Sequence, residues 1–515
     1  MKRFLNGASK LIFSRVLVII LMIILQIMMI VGGGYYLANM FPISYYALDV
    51  LGAIIMISVI NKDEPAEFKL TWAIAILLLP IVGILLYVFS QSNYGMVRLK
   101  HKADAELLAS QDLVAPSDGT MAALANEDIE FQRFSHYMYD KCHYPVYHNT
   151  KVTYYPIGEE QIEAIKEELR NAKRFIFIEF FIIAEGQVWD SVLEILKQKV
   201  AQGVEVKVMY DGLCSLLKLP YRYPSKLREF GIEAKMFAPI IPFLSTAQNN
   251  RDHRKIIVVD GHVAFTGGVN LADEYANLIE VYGHWKDVGV RIEGRAVMSM
   301  TRMFIQNWNL YGHSDLGYEK YLAKDPNRVK MAHDGFIIPY GDMPTSKYEL
   351  GKDVYEDMFV HSNEYIHVMS PYFIVDREFL ENIRFASHRG VDVKLILPHI
   401  PDKKIAFAIA RSFYRELLDA GVKVYEYTPG FVHAKVVVSD DKRAAVGSIN
   451  LDYRSFYHHF ECGVYMHKSS AIKDIEDDFE KTLEKCQEVT FEYYKNIPWI
   501  KRAVGRIFRL LAPLM

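Results

Sequence analysis

The chain of 515 residues is 51% hydrophobic and carries 59 Lys+Arg against 62 Asp+Glu, for a formal charge of −3; its mean hydropathy is +0.04. That composition excludes a disordered chain, which would have fewer apolar residues and more net charge, and a polytopic transporter, which would be far more hydrophobic. It also argues against a nucleic-acid partner, which would favour a strongly basic chain.

The first 95 residues differ from the rest. No charged residue occurs from Val16 to Met40, and Trp72 to Phe89 is a second uncharged run, of 18 residues. Both approach the ~20 residues that cross a bilayer as a helix. Pro80 and Gly83 lie in the second run, and membrane helices tolerate both. Between the runs, Val50 to Ile60 is an uncharged stretch of 11 residues, a length more usual for re-entrant or interfacial segments, which leaves two or three spans open. Lys2, Arg3, Lys10 and Arg15 precede the first run, and Arg98, Lys100 and Lys102 follow the last. The positive-inside rule places both flanks in the cytoplasm, which favours two crossings with the body on the cytoplasmic side of a cell membrane. No convincing cleavage site follows, so the region reads as an anchor and not a signal peptide. Four cysteines (Cys142, Cys214, Cys462 and Cys486) show no disulfide or metal spacing and read as buried or incidental thiols.

Expected boundaries are a membrane anchor over 1–95, a helical linker over 96–132, domains over 133–325 and 326–494, and a tail over 495–515. The body alternates β-rich apolar runs with amphipathic helices, the pattern of an α/β or α+β sandwich. It also repeats. GVEVKV at Gly203 returns as GVDVKL at Gly390, FGIEAKMFAP ending at Pro239 returns as AGVKVYEYTP ending at Pro429, and DHRKIIVVDGHVAFTGGVN from Asp252 returns as VHAKVVVSDDKRAAVGSIN from Val432. Three ordered landmarks indicate two fused copies, too long for a solenoid repeat, related by a pseudo-twofold axis with a site at their seam.

The shared element reads His-x-Lys-x4-Asp-x6-Gly-[Gly/Ser]-x-Asn: His253, Lys255, Asp260, Gly267, Gly268, Asn270, then His433, Lys435, Asp440, Gly447, Ser448, Asn450. The His, Lys and Asp positions are the catalytic candidates. His and Lys are two apart in a β-rich run, so their side chains leave one face. Asp260 has odd spacing from His253 and begins an Asp-Gly hairpin signal, so Asp260 and Asp440 read more as turn organisers than as substrate contacts. Gly267, Gly447 and Ser448 are candidates for an anion's approach to the backbone, and Asn270 and Asn450 for amide donors. Two imidazoles, two ammoniums and two amides suit a phosphodiester: lysines and amides bind its oxygens, one His attacks phosphorus and the other protonates the leaving oxygen. A histidine nucleophile needs a carboxylate on its other nitrogen. Asp287 in HWKDVGVRIEG and Glu461 in FECGVYM are the candidates, while His284, His458 and His459 read as bystanders. No cluster with metal spacing accompanies the motif, so no cofactor is expected.

These signatures, with SPYFIVDREF, GVKVYEYTPGFVHAKVVV and GSINLDYRSFYHHFECGVY, resemble the bacterial cardiolipin synthases of the phospholipase D superfamily. Gly268 departs from the Ser common in that motif. The resemblance implies two fused phospholipase D-like domains sharing one metal-independent site, preceded by transmembrane helices, and a phosphatidyl-histidine intermediate. It makes His253 the nucleophile on one phosphatidylglycerol and His433 the acid that releases glycerol and the base for a second phosphatidylglycerol, with the roles reversible by pseudo-symmetry. It gives Lys255, Lys435, Asn270 and Asn450 to phosphate, and Asp287 and Glu461 to orienting the histidines. Hydrolysis to phosphatidic acid, transfer to another alcohol, nucleic-acid cleavage and an inactive membrane scaffold remain as other readings; oligomeric state is not indicated.

The tail, PWIKRAVGRIFRLLAPLM from Pro498, reads as a basic amphipathic helix with an interfacial Trp, or as a terminal helix docked on the core. Residues 1–95 carry six basic and four acidic side chains and residues 495–515 carry five basic and none acidic, which leaves −10 on the body. An acidic body with basic ends suits a bilayer surface.

Overall fold

The computed structural model describes residues 42–78, 80–90, 94–116, 118–213, 218–220, 222–239, 246–311, 315–322 and 333–514, with seven isolated positions between 24 and 36. The chain divides into two compact units: residues 1–98 with 239–250 and 510–515, and residues 99–238 with 251–509.

In the first unit, the expected span over 16–40 lies outside the described residues apart from those isolated positions. The stretch Val50–Ile60 is the end of a 19-residue helix, Pro42–Ile60, which continues through Asp49. The run Trp72–Phe89, expected as one span, is instead divided between the helices Ala66–Leu78 and Pro80–Ser90. Fifteen residues of continuous helix would separate Trp72 from Tyr87 by about 22 Å, yet their rings lie 5.2 Å apart. The two helices therefore fold back on each other. Pro80 removes the backbone donor that would continue the helix, and at Gly83 a Cβ would lie 2.4 Å from Ala75 O, so only glycine permits this approach. Val59, Trp72, Ile76, Ile84 and Tyr87 form the small core, and Thr71 Oγ1 donates to Leu510 O at 2.8 Å. Among the described residues no helix is long and apolar enough to cross a membrane.

The second unit contains two central sheets. Strands β1 (Thr150–Tyr155), β2 (Phe175–Phe180), β3 (Glu205–Asp211), β4 (Glu233–Phe237), β5 (Lys255–Val259), β6 (Val263–Gly267), β7 (His284–Lys286) and β8 (Gly289–Gly294) belong to the first half. Those of the second are β9 (Phe336–Asp342), β10 (Tyr365–Met369), β11 (Phe373–Ile374), β12 (Asp392–Pro398), β13 (Lys423–Tyr427), β14 (Gly430–Val432), β15 (Val436–Ser439), β16 (Arg443–Gly447), β17 (Leu451–Asp452), β18 (Glu461–His467) and β19 (Cys486–Glu488). The first sheet runs β1-β8-β6-β5-β2-β3-β4, and the second, read from β9, runs β9-β18-β16-β15-β10-β12-β13 with β19 added at the edge. Directions match as well: β2-β3-β4 and β10-β12-β13 are parallel and the remaining shared pairs antiparallel. The duplication read from three sequence landmarks is thus a duplication of topology. Strands such as FIFIEF and KIIVV are buried along their whole length: Ile176 and Ile178 share a core with Ile162, Ile165, Trp189 and Leu196, and Phe177 stacks on Phe304 of the helix Val297–Leu310.

The segment expected as a linker ends in the helix Ile129–Cys142, capped by Asp128, whose carboxylate accepts from Glu130 N and Phe131 N. Phe131 stacks on His467 at 4.5 Å, and Asp128 lies 3.4 Å from Arg443. This helix is part of the surface of the second half and not a spacer. The helix Trp499–Arg509 lies against the helix Lys404–Asp419, with Gly505 so close that a Cβ would fall 2.1 Å from Ala408 O.

Candidate active site

The two halves meet by exchanging short parallel pairings. β7 pairs with β14, and residue 252 bridges to 460 in the same sense. His433 N donates to Lys286 O at 2.7 Å, and His253 N donates to Phe460 O at 2.9 Å. Each motif histidine is therefore hung on the strand that, one residue later, delivers the other half's carboxylate. His253 Nδ1 lies 2.9 Å from Glu461 Oε1, and His433 Nδ1 lies 2.7 Å from Asp287 Oδ2. All four side chains are buried. Burial keeps His253 well below the ordinary histidine range against the pull of Glu461, and pushes His433 down to about 4 with help from Lys435. Burial alone would raise the carboxyls, but their histidine partners hold Glu461 and Asp287 below the usual range. Neutral imidazoles against ionised carboxylates place the proton on Nδ1 and leave a lone pair on Nε2, the form a nucleophile needs.

The lysines share this field. Burial lowers Lys255 to about 8 and Lys435 to about 7, and Lys435 feels the charge of Lys255, which puts the two copies in one electrostatic site. Lys255 Nζ donates to His253 O at 2.5 Å; Lys435 Nζ donates to His433 O and lies 2.9 Å from His433 Nδ1. Asn270 Oδ1 accepts from Ile182 N at 3.0 Å, while its buried Nδ2 has no acceptor among the described residues. Asn450 has an unpartnered buried Oδ1, and turning that amide over would present Nδ2 as Asn270 does.

Other candidates hold the scaffold. Asp260 accepts from the backbone N–H groups of Lys173, Arg174 and Phe175, and Asp440 from those of Asn363, Glu364 and Tyr365. Both sit at φ 54° in the turn after the motif strand. With their carboxylates committed to those amides, they leave the catalytic set. Gly267 and Gly447 let neighbouring strands approach, since a Cβ would meet Val288 O at 2.4 Å or Cys462 O at 2.3 Å, so they make room for backbone and not for an anion. Ser448 Oγ donates to Glu461 and accepts from Cys462 N at 2.9 Å, so it fixes the carboxylate and does not face substrate. In the first copy a Cβ on Gly268 would strike Asp287 Oδ1 at 2.0 Å, which accounts for glycine where the second copy has serine.

These features sit on a chain whose residues 165–308 and 355–483 match the family model "Cardiolipin synthase, PLD-like domain", while residues 47–90, the helices of the first unit, match "Phospholipase_D-nuclease N-terminal". Cardiolipin synthases of Halalkalibacterium halodurans and Geobacillus thermodenitrificans are 32% and 34% identical, over 87% and 89% of this chain and 88% and 91% of theirs. The chain belongs to the cardiolipin synthase family of phospholipase D-like enzymes. An uncharacterized protein of Streptococcus mutans is 43% identical over 90% of this chain and 100% of its own. The fold is shared with the crystal structure of phosphatidylserine synthase from Haemophilus influenzae, with a TM-score of 0.56 at 17% identity, covering 71% of this chain and 95% of that one.

This cardiolipin synthase family member also brings to its site residues that sequence reasoning passed over. His459, read as a bystander, is buried with its ring 5.3 Å from that of His253 and its Nδ1 3.6 Å from Glu461. His253, His459 and Glu461 thereby place three potential metal ligands within 4.8 Å of one another, a grouping assembled by the fold and invisible as local spacing. Ser455 Oγ donates to Glu461 at 2.8 Å, and buried Arg254 donates from Nε to Glu461 O at 3.1 Å. In the register HWKDVGV against HHFECGV, which pairs Asp287 with Glu461, His459 stands against Trp285, which lies 5.5 Å from His433.

Proposed function

We propose that this enzyme transfers the phosphatidyl group of one phosphatidylglycerol to the glycerol hydroxyl of another, releasing glycerol and forming cardiolipin. The observation that carries this reading is the reciprocal pairing His253–Glu461 and His433–Asp287 around two buried lysines. A phosphodiester between Lys255 and Lys435 offsets their mutual repulsion and the cationic field on His433, which then takes up a proton. His253 Nε2 attacks phosphorus, and the bond to glycerol oxygen breaks as His433 gives that oxygen its proton. Glu461 balances the charge on the phosphorylated imidazole. The second phosphatidylglycerol gives its hydroxyl proton to His433, its oxygen attacks phosphorus, and the bond to His253 breaks. Lys255, Lys435, Asn270 and Asn450 hold the non-bridging oxygens as charge develops.

The nucleophile assignment rests on the two carboxylates. Glu461 accepts from Ser448 and Ser455 besides His253, so it is the better-fixed anion for a cationic intermediate. His433, held low with Lys435 beside it, releases a proton readily. The region before residue 99 is the proposed anchor in a bacterial cell membrane, through the uncharged run 16–40 and the exposed Leu70, Leu77, Leu78 and Val88 of the helical unit. The basic residues Arg98, Lys100 and Lys102 at the start of the body are the ground for placing it on the cytoplasmic side. Incubating full-length enzyme with phosphatidylglycerol alone tests the reading. Cardiolipin plus glycerol is expected; phosphatidic acid without cardiolipin would contradict it and support hydrolysis.

A further inference from the structure

The shell around His433 is aromatic, with the rings of Tyr275, Trp285 and Phe431 at 5.3, 5.5 and 5.9 Å from its own. The loop that leaves Tyr275 and returns at Trp285 turns Leu278, Ile279 and Val281 out to solvent. Ile400, also exposed, lies beside this loop: a Cβ on Gly283 would come within 3.2 Å of its Cδ1. Lys403, Lys404 and Ile405, all exposed, follow at the start of the helix Lys404–Asp419.

The helix Trp499–Arg509 runs along that same helix in parallel. Gly505 abuts Ala408 and Ser412, while Arg509 covers Phe413 at 3.6 Å and pairs with Glu416. The parallel run puts Trp499 and Ile500 toward the Ile405 end. Ile500, Val504 and Ile507 recur at the spacing of one helical face. That face is not buried: Trp499 is 70% and Ile507 61% exposed, while the contact with the body is made by Gly505 and Arg509. A core-docking helix would show the opposite orientation. Lys403, Lys404 and Lys501 are exposed near these apolar side chains, against Glu280 of the loop and Asp402, which lies 3.8 Å from Lys403. Outward apolar residues, an exposed Trp and interspersed cations are the chemistry that enters a headgroup region and complements anionic lipid.

We propose that Leu278, Ile279, Val281, Ile400, Ile405 and the outward face of Trp499–Ile507 form a rim that seats the catalytic body on an anionic bilayer, beside the His433 side of the site. The proposal rests on the lipid-substrate reading above.

The test uses full-length enzyme reconstituted in vesicles of phosphatidylglycerol and phosphatidylcholine brominated on its acyl chains. The Trp499 signal, taken as wild type minus Trp499→Phe, is expected to be quenched by the brominated lipid. Ile279→Glu, Ile405→Glu and Ile507→Glu are expected to lower kcat/KM on bilayer phosphatidylglycerol roughly tenfold, from lost apolar insertion, and to leave turnover of monomeric short-chain phosphatidylglycerol within about twofold. An unquenched Trp499, or equal losses on both substrates, overturns the rim. Quenching in an enzyme that makes no cardiolipin from either substrate supports the rim and contradicts the proposed function.

Discussion

The two halves of the body share seven strands in one order, and they part company at the groups that hold their histidines. Glu461 gathers Ser448, Ser455 and His253, with His459 at its side, whereas Asp287 takes His433 and the N–H of Val288. The first copy has Gly268 where the second has Ser448, and Trp285 where the second has His459. Since the pairings cross the seam, the second half's polar additions serve the first half's histidine. Duplication preserved the scaffold and the crossing, and divergence reached the carboxylates. A pseudo-symmetric site can in this way give unequal work to equal residues: a firmly held anion behind His253, and a cation beside His433.

That inequality can be broken or sharpened by substitution. The largest effect is expected from His253→Ala, which should lower cardiolipin formation by roughly 10⁴-fold or more and abolish any phosphoenzyme. His433→Ala should be comparably slow with phosphatidylglycerol, yet should still form phosphoenzyme from a phosphatidyl ester whose leaving group needs no proton, read by rapid-quench labelling. Next come the carboxylates: Glu461→Gln is expected to cost about 10³-fold in kcat and Asp287→Asn about 10²-fold, by loss of the held tautomer. The reverse order would erase the distinction between the copies.

A smaller effect is expected from pH. A lysine whose proton affinity is lowered is cationic only below that value, so anion binding weakens as pH rises, first through about 7 for Lys435 and then about 8 for Lys255. Lys435→Arg, which stays charged, should flatten the loss of phosphatidylglycerol affinity between pH 6 and 8 more than Lys255→Arg does, as measured by equilibrium binding. The smallest catalytic effect belongs to Asp260→Asn and Asp440→Asn. Each aspartate satisfies three backbone donors, so thermal unfolding should show a loss of about 1–3 kcal/mol with kcat nearly unchanged.

Much of this was legible in the sequence because the chemistry is written locally and twice. The spacing of His253 to Asn270 and its return at His433 to Asn450 marks the site, and the Asp-Gly at 260 marks the β5–β6 hairpin that the structure contains. Which carboxylate serves which histidine was not legible, because that depends on β7 lying beside β14, a pairing across 146 residues for His433 and Asp287. Ser448 and the motif glycines are ambiguous in the sequence because glycine and serine suit both an anion and a tight strand approach; only the neighbouring strand decides between them. His459 looked inert for the same reason, as its neighbour His253 is remote in sequence. In the N-terminal unit the hydropathy of Trp72–Phe89 conceals a fold-back, since run length alone does not separate one helix from two and Pro80 and Gly83 are compatible with either.

The most direct measurement is the site of the covalent intermediate. Wild-type enzyme is mixed with phosphatidylglycerol labelled in its phosphatidyl group, quenched in alkali-stable conditions within one turnover, digested and mapped by mass. The label is expected on His253, in the peptide that contains Lys255. Label on His433 with none on His253 would contradict the inequality of the two copies, and its absence from both would contradict a phosphohistidine mechanism.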